Sequence, residues 1–241
     1  MKILSILVCA IMILTLFCGC SSKEDFTAHN VEEFKLKLAD VLDVSMYEFE
    51  EDDDGIEHTL IDEIDYNFDY KVKLGDTEIT LPTDYATLKK AGWTSEIAED
   101  FRIDSGVQKG IPFKNSEGRE ILFYTTCLGA GTENEISCEL QSCKLFTLEI
   151  ILYSSDNTVY VKNENAADFS LTNGITSKST IKNIVDALGN PTYIEYDMEE
   201  NEIELCFTKK IVVGYSRLKF QFSASDGFMS RMEYEYSYAD I

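Results

Sequence analysis

The sequence predicts an α+β protein with two modules, in which a short helix or helices pack on an antiparallel sheet. Two patterns support this prediction: short runs with apolar residues at helical spacing, and longer stretches in which apolar and polar residues alternate. In both halves of the chain the alternating stretch follows the helical run. We therefore place one module at 66–163 and a second at 164–241, and interpret them as a diverged tandem repeat.

The chain begins with a short leader. Lys2 precedes an apolar run over residues 3–17, which is followed by Cys18-Gly19-Cys20. A membrane-spanning helix needs about 20 apolar residues, so the run is too short to cross a bilayer. An ordinary cleaved signal is the other alternative, but it favours an Ala-x-Ala-like site, which is missing here.

The residues 16–20, Leu-Phe-Cys-Gly-Cys, resemble the lipobox of bacterial lipoproteins, although Phe17 stands where that box usually has an aliphatic residue. The resemblance implies a signal peptide at 1–19, cleavage by signal peptidase between Gly19 and Cys20, and lipidation of Cys20. Residues 20–29 would then be the lipidated cysteine and a short tether. The expected location is the extracytoplasmic face of the bacterial cell membrane, where acyl chains such as palmitate hold the protein.

Composition indicates a folded and strongly acidic protein. Hydrophobic residues make up 44% of the chain, and 14 Phe and 13 Tyr provide material for a core. Without the leader, 20 Lys and Arg stand against 44 Asp and Glu, a net charge of −24. Such a charge argues against nucleic acid as a partner and against direct binding to anionic headgroups. Contact with the membrane is therefore expected through the lipid anchor.

Residues 30–65 are predicted to form an N-terminal helix and an acidic segment. Asn30 is a good N-cap for a helix over 31–44. Glu50–Gly55 partly matches a calcium loop, because acidic residues occupy its first, third and fifth positions and glycine its sixth. The twelfth position is Ile61, which cannot bind a cation. We interpret the segment as a solvated acidic turn and predict neither a metal site nor a cofactor.

The first module should contain a hairpin, because residues 66–74 alternate, Gly75-Asp76 can turn the chain, and 77–81 return. A short helix over 85–91 should end at Gly92. Further strands are predicted at 121–126, 144–153 and 158–162.

The second module should begin with a strand at 169–171 and a helix with apolar positions from Ile181 to Leu188. Ser177 or Ser179 is the expected cap, and Gly189 with Pro191 should stop the helix. Strands are then predicted at 192–196, 202–207, 217–222 and 228–236.

The segment from Gly174 through Gly189-Asn190-Pro191-Thr192 and the following strands resemble the β-lactamase-inhibitor-protein-like fold and the small outer-membrane-assembly lipoproteins. The segment 81–93, Leu-Pro through Ala-Gly-Trp, resembles uncharacterised cell-surface lipoproteins of Gram-positive anaerobes. These resemblances imply helices packed on an antiparallel sheet, and a binding role rather than catalysis.

Without the leader, four cysteines remain besides Cys20, and they are candidates for disulfides: Cys127, Cys138, Cys143 and Cys206. Four cysteines allow three pairings, and the sequence does not choose between them or free thiols. Their spacing fits neither a redox Cys-x-x-Cys motif nor a zinc site.

No catalytic motif is present. The only histidines are His29, in the tether, and His58, which is interpreted as a surface residue. Gly-x-Ser-x-Gly and phosphate-loop motifs do not occur, whereas paired carboxylates remain a route to enzymatic chemistry. Tyr234, Tyr236 and Tyr238 would share one face of a strand and form either an aromatic binding face or part of the core.

We therefore expect a non-catalytic binding or accessory lipoprotein of the cell envelope. Its partner would be an envelope protein or a cell-wall component. The alternatives are an envelope enzyme that uses carboxylates and a purely structural accessory subunit.

Overall fold

The computed structural model describes residues 26–52, 55–60, 71–104, 107–127, 137–156, 159–211 and 214–237. The predicted signal peptide, its cleavage site and Cys20 lie outside these residues. The described part contains three helices: α1 Val31–Val41, α2 Tyr85–Lys90 and α3 Ile181–Leu188. Two single 3₁₀ turns cover Val44–Met46 and Leu140–Ser142. None of these helices has the length and apolar character that a membrane span requires.

Strands dominate the described part of the chain. The first nine are β1 Tyr47–Glu51, β2 Gly55–Leu60, β3 Lys71–Leu74, β4 Thr77–Thr80, β5 Thr83–Asp84, β6 Arg102–Asp104, β7 Lys109–Lys114, β8 Glu120–Thr125 and β9 Ser137–Glu139. The others are β10 Lys144–Ile151, β11 Tyr153–Asp156, β12 Val159–Lys162, β13 Phe169–Leu171, β14 Tyr193–Asp197, β15 Glu202–Ile211, β16 Gly214–Ser223 and β17 Met229–Ser237.

Within the described residues, one antiparallel sheet of ten strands organises the fold. Nine strands follow the order β1-β2-β14-β15-β16-β17-β10-β8-β7, and β5 pairs with β10 beside this path. Smaller sheets are formed by β13-β3-β4, by β11-β12 and by β6-β9. The architecture is therefore α+β and rich in strands.

The helices begin and end for local reasons. The Asn30 side chain accepts from the backbone N–H of Glu33, which confirms the predicted cap of α1. The predicted cap of α3 is wrong: Thr180, not Ser177 or Ser179, caps the helix and forms a capping box with Asn183. Ser179 instead accepts from the backbone N–H of Thr176 in the preceding turn.

One face of the large sheet is apolar and buried. Ile194, Leu205, Phe220 and Met232 are fully buried there, on four different strands. The buried residues of all three helices belong to the same continuous core cluster. The alternating patterns predicted from 192 to 236 are thus confirmed as strands with one face in the core.

Pairing between strands connects segments that the sequence predicted to be separate. β2, from the expected acidic segment, pairs with β14, and β13 pairs with β3 across the expected boundary between modules. Two separate modules are therefore not shown. The end of the expected tether also packs on the fold, because Ala28 is fully buried and its N–H donates to the Ala224 carbonyl at 2.7 Å.

Candidate functional site

The second face of the ten-stranded sheet carries charged and polar side chains of intermediate exposure. Along β14 the buried and half-buried residues alternate strictly, with Ile194 and Tyr196 in the core and Glu195 on the opposite face. The same alternation continues in β16 and β17. This polar face is the candidate functional surface, because the apolar face is occupied by the core.

Four glutamates lie directly opposite one another on four adjacent strands of this face. The register pairs Glu50 with Glu57, Glu57 with Glu195, and Glu195 with Glu204. We call these four residues the glutamate row. Neighbouring strands are about 4.8 Å apart, so the row spans about 14 Å. Like charges directly opposite one another destabilise a sheet, so the row costs folding free energy.

The charges of the row are unevenly compensated. Lys219 Nζ lies 3.0 Å from Glu204 Oε1, and the Glu204 side chain is only 14% exposed. Within the described residues, no Lys or Arg forms an ion pair with Glu50, Glu57 or Glu195. The β1 end of the row therefore carries uncompensated negative charge.

Glu195, in the middle of the row, has an unusual environment. Burial raises the pKa of its carboxyl group, the hydrogen bond from Tyr193 opposes this, and the nearby charges of Glu204 and Glu57 raise it further. The Tyr193 hydroxyl donates to Glu195 Oε2 at 3.1 Å. Burial and the carboxylates of Glu195 and Glu57 raise the pKa of the Tyr193 hydroxyl, which therefore keeps its proton and remains a donor.

In the β16–β17–β10 part of the polar face, by contrast, Arg side chains form ion pairs with two of the acids, Glu149 and Glu235. Arg231 Nη1 lies 3.2 Å from the nearly buried Glu149. The Tyr124 hydroxyl donates to the other oxygen of Glu149 at 2.8 Å, and burial together with this carboxylate raises the pKa of Tyr124 to about 12. Arg217 lies 3.5 Å from Glu235. Negative charge thus accumulates toward the β1 edge.

A cleft of about 230 Å³ lies at this edge of the sheet. It is formed where β1, the turn into β2, and β14 meet. Its lining consists mainly of carboxylates: Glu50, Glu51, Asp52, Gly55, Ile56, Glu57, Glu195, Tyr196 and Asp197. The cleft therefore extends the acidic surface of the row around the edge of the sheet.

The expected acidic turn is largely a hairpin of β1 and β2. Asp52 Oδ1 accepts from the backbone N–H of Gly55 at 3.0 Å, which fixes the turn. Asp54, a ligand candidate in the calcium-loop comparison, lies outside the described residues. Among the described residues, no three His, Cys, Asp or Glu side chains are arranged as metal ligands.

His58 is not the surface residue that the sequence indicated. It is 4% exposed on the core face, and its Nδ1 atom has no hydrogen-bond partner among the described residues. Burial and the charge of Lys35 lower the pKa of His58, so the ring is neutral at pH 7. His58 thus packs among aromatic rings such as Phe34 rather than facing a nucleophile.

Of the two alternatives for the three tyrosines, the structure favours the core for Tyr234 and Tyr236. Tyr234 is 3% exposed, and Tyr236 is partly buried against the same core. The reason is the register of β17, which turns the even-numbered residues toward the core and Glu233 and Glu235 toward the polar face. Tyr238 lies outside the described residues.

The four candidate disulfide cysteines are not joined to one another in this structure. Cys138 and Cys143 have sulfur atoms 2.7 Å apart. Cys206 lies on β15, where its register partners are Tyr193 and Lys219. Burial raises the pKa of the Cys206 thiol.

Comparison with known proteins does not extend this description. No family model matches the chain, and no curated protein or solved structure matches it.

Proposed function

We propose that this chain is a membrane-anchored extracytoplasmic lipoprotein that binds a basic partner of the cell envelope and has no catalytic role. The glutamate row carries the proposal. Like charges at directly opposite positions destabilise a sheet. Proteins keep such unfavourable arrangements mainly at functional sites, where the charge has a role in binding or catalysis. Complementary positive charge on a partner would relieve the repulsion and steer association.

The position of the row supports a protein or peptide partner. The row and the adjoining cleft form a continuous acidic surface that a short basic segment could cover. Exposed acids at its β1 end, Glu50 and Glu57, would meet the partner first. The half-buried Glu195 would lose less hydration on binding, since the fold has already removed part of it.

A purified basic peptide tests the surface directly. Oligolysine should bind the wild-type protein at low salt and lose affinity as the salt concentration rises. The variant Glu50→Gln/Glu57→Gln/Glu195→Gln should bind about tenfold more weakly, since exposed ion pairs contribute roughly 0.2–1 kcal/mol each.

The matched control is Asp76→Asn/Glu96→Gln/Glu117→Gln, which removes the same charge from exposed positions away from the row. It should bind nearly as the wild type does. Equal loss in both variants would show that only net charge matters, and the proposal would fail. Crosslinking and pull-down from native envelopes then compare the same variants on the natural partner.

The lipid anchor is tested separately. Metabolic labelling with palmitate should mark the wild-type protein and not Cys20→Ser, and the variant should leave the membrane fraction. An unlabelled wild-type protein would contradict the anchor while leaving the oligolysine result to decide the binding surface.

The acidic cleft favours one second candidate, an envelope enzyme that uses paired carboxylates. Glycosidases combine a carboxyl of raised pKa with an ionised one, and Glu195 and Asp197 both line the cleft. Hydrolysis of a dye-labelled cell-wall glycan by the wild type, abolished in Glu195→Gln, would support this candidate. Full binding of oligolysine with no hydrolysis would favour the first.

The tandem repeat also stays a proposal. In each half of the chain a short helix precedes a group of antiparallel strands: α2 precedes β7, β8 and β10, and α3 precedes β14 to β17. The two groups meet where β10 pairs with β17, which supports the proposal.

A further inference from the structure

Three cysteines lie together at the junction between β9 and β10. Cys138 belongs to β9, and Cys143 ends the 3₁₀ turn Leu140–Ser142 just before β10. Their sulfur atoms are 2.7 Å apart. Cys127, which follows β8, lies near enough to Cys138 for each thiol to affect the pKa of the other.

We propose that Cys138 and Cys143 are a disulfide site, and that Cys127 remains a reduced thiol beside it. A disulfide needs the two Cβ atoms about 3.5–4.5 Å apart with the sulfur atoms directed at each other. The turn between the two residues already directs both sulfur atoms to one point. The proposal depends on this geometry and needs neither the lipid anchor nor a basic partner.

The solvent exposure of each thiol determines which one reacts first with an external disulfide. Cys138 is partly exposed, whereas Cys143 is 3% and Cys127 5% exposed. A soluble disulfide, such as oxidised glutathione, would therefore be attacked first by the Cys138 thiolate, which releases one glutathione thiolate. Cys143 then attacks the Cys138 sulfur and releases the second. The two protons lost by the cysteines end on the two glutathione thiolates, so two electrons pass from the pair to glutathione.

The burial of Cys127 disfavours its participation in the disulfide. Burial, and then the nearby thiol of Cys138, raises the pKa of Cys127 to about 11. Burial also raises the pKa of Cys138, but Cys138 is partly exposed and its sulfur lies 2.7 Å from that of Cys143, whereas Cys127 is 5% exposed. Cys127 is therefore the slower competitor for an external disulfide. Because Cys127 lies near Cys138, the main alternative pairing is Cys127 with Cys138, which the experiment can distinguish.

The bond would hold a turn that joins two sheets. Leu140 is fully buried, and its N–H donates to the Phe101 carbonyl at 2.9 Å. The N–H of Gln141 donates to the Glu99 carbonyl at 3.0 Å. A bridge from Cys138 to Cys143 would fasten β9, which pairs with β6, to the start of β10 in the large sheet.

Peptide mapping of the whole chain, purified in detergent, tests the proposal. The protein is incubated with oxidised glutathione, its remaining thiols are alkylated in denaturant, and it is digested without reduction by a protease that cuts after glutamate. Cleavage at Glu139 separates Cys138 from Cys143, and cleavage at Glu133 or Glu135 separates Cys127. The expected product is one linked pair of peptides joining Cys138 to Cys143, with Cys127 and Cys206 alkylated.

Two variants check the order of attack. Cys143→Ser should lose the linked peptides and keep glutathione on Cys138, whereas the control Cys206→Ser should give the wild-type map. A link between Cys127 and Cys138 in the wild type would overturn the proposal. Alkylation of both Cys138 and Cys143 after the incubation would overturn it as well.

Discussion

Replacing Glu195 by glutamine should make the protein more stable at pH 7. Glu195 lies directly opposite Glu57 on one side and Glu204 on the other. Each such like-charge pair costs roughly 0.2–1 kcal/mol, so the two together cost roughly 0.4–2 kcal/mol. Lys219 already neutralises part of the Glu204 charge, so we expect a gain of about 1 kcal/mol. The glutamine oxygen can still accept the Tyr193 hydrogen bond.

Urea unfolding at pH 7 and low salt measures this change. The midpoint should rise while the slope stays constant, because the surface exposed on unfolding is the same. Glu235→Gln is the matched control on the same face, since its carboxylate lies 3.5 Å from Arg217, and it should lower the midpoint. A loss of more than about 0.5 kcal/mol in Glu195→Gln, beyond the usual scatter of surface substitutions, would refute the reasoning.

The pH dependence of the unfolding free energy tests the same reasoning independently. Burial raises the pKa values of Glu195, Glu202 and Glu233 above those of free glutamate. Their ionised forms therefore reduce stability above the folded pKa, and this cost disappears as the pH falls toward the unfolded value of about 4.3. The advantage of Glu195→Gln over the wild type should shrink between pH 7 and that value. An advantage that stays constant would contradict the assignment.

Three further substitutions probe the framework of the fold. Gly55→Ala should lower the thermal midpoint and the free energy of unfolding by about 1–3 kcal/mol, because the new Cβ would lie 2.0 Å from the Tyr196 carbonyl oxygen. Arg231→Gln should cost about 1–3 kcal/mol in urea unfolding, since the nearly buried Glu149 loses its cation. Thr180→Ala should cost about 1 kcal/mol in the same assay, because α3 loses its cap.

Local signals in the sequence were sufficient to predict many of the helices, turns and strands. Asn30 capped the predicted helix, although α1 ends at Val41 rather than at 44. Gly75 has a φ of +60°, as the turn of the β3–β4 hairpin requires. The alternation in β14 to β17 also identified which residues share a face. All these features depend on residues close together in the chain.

The glutamate row could not be found in this way. It depends on pairing between β2 and β14, whose residues Glu57 and Glu195 are far apart in sequence. An acidic segment also has a low propensity for strands, which favoured the interpretation of a turn. The sequence also left open whether Tyr234 belongs to a binding face or to the core, because alternation separates the two faces of a strand without saying which one is buried.

The path of the chain relates the acidic cleft to the expected anchor. The Ala28 N–H donates to the Ala224 carbonyl, and the Ala224 N–H donates to the carbonyl of Asn201, in the turn between β14 and β15. Asp197, at the end of β14, lines the cleft. Eight residue steps separate Cys20 from Ala28 and span at most about 28 Å. With a lipid on Cys20, the acidic cleft would lie near an anionic membrane that repels it. A basic partner at the membrane surface would reduce two repulsions at once: that between the cleft and the membrane, and that among the carboxylates of the glutamate row.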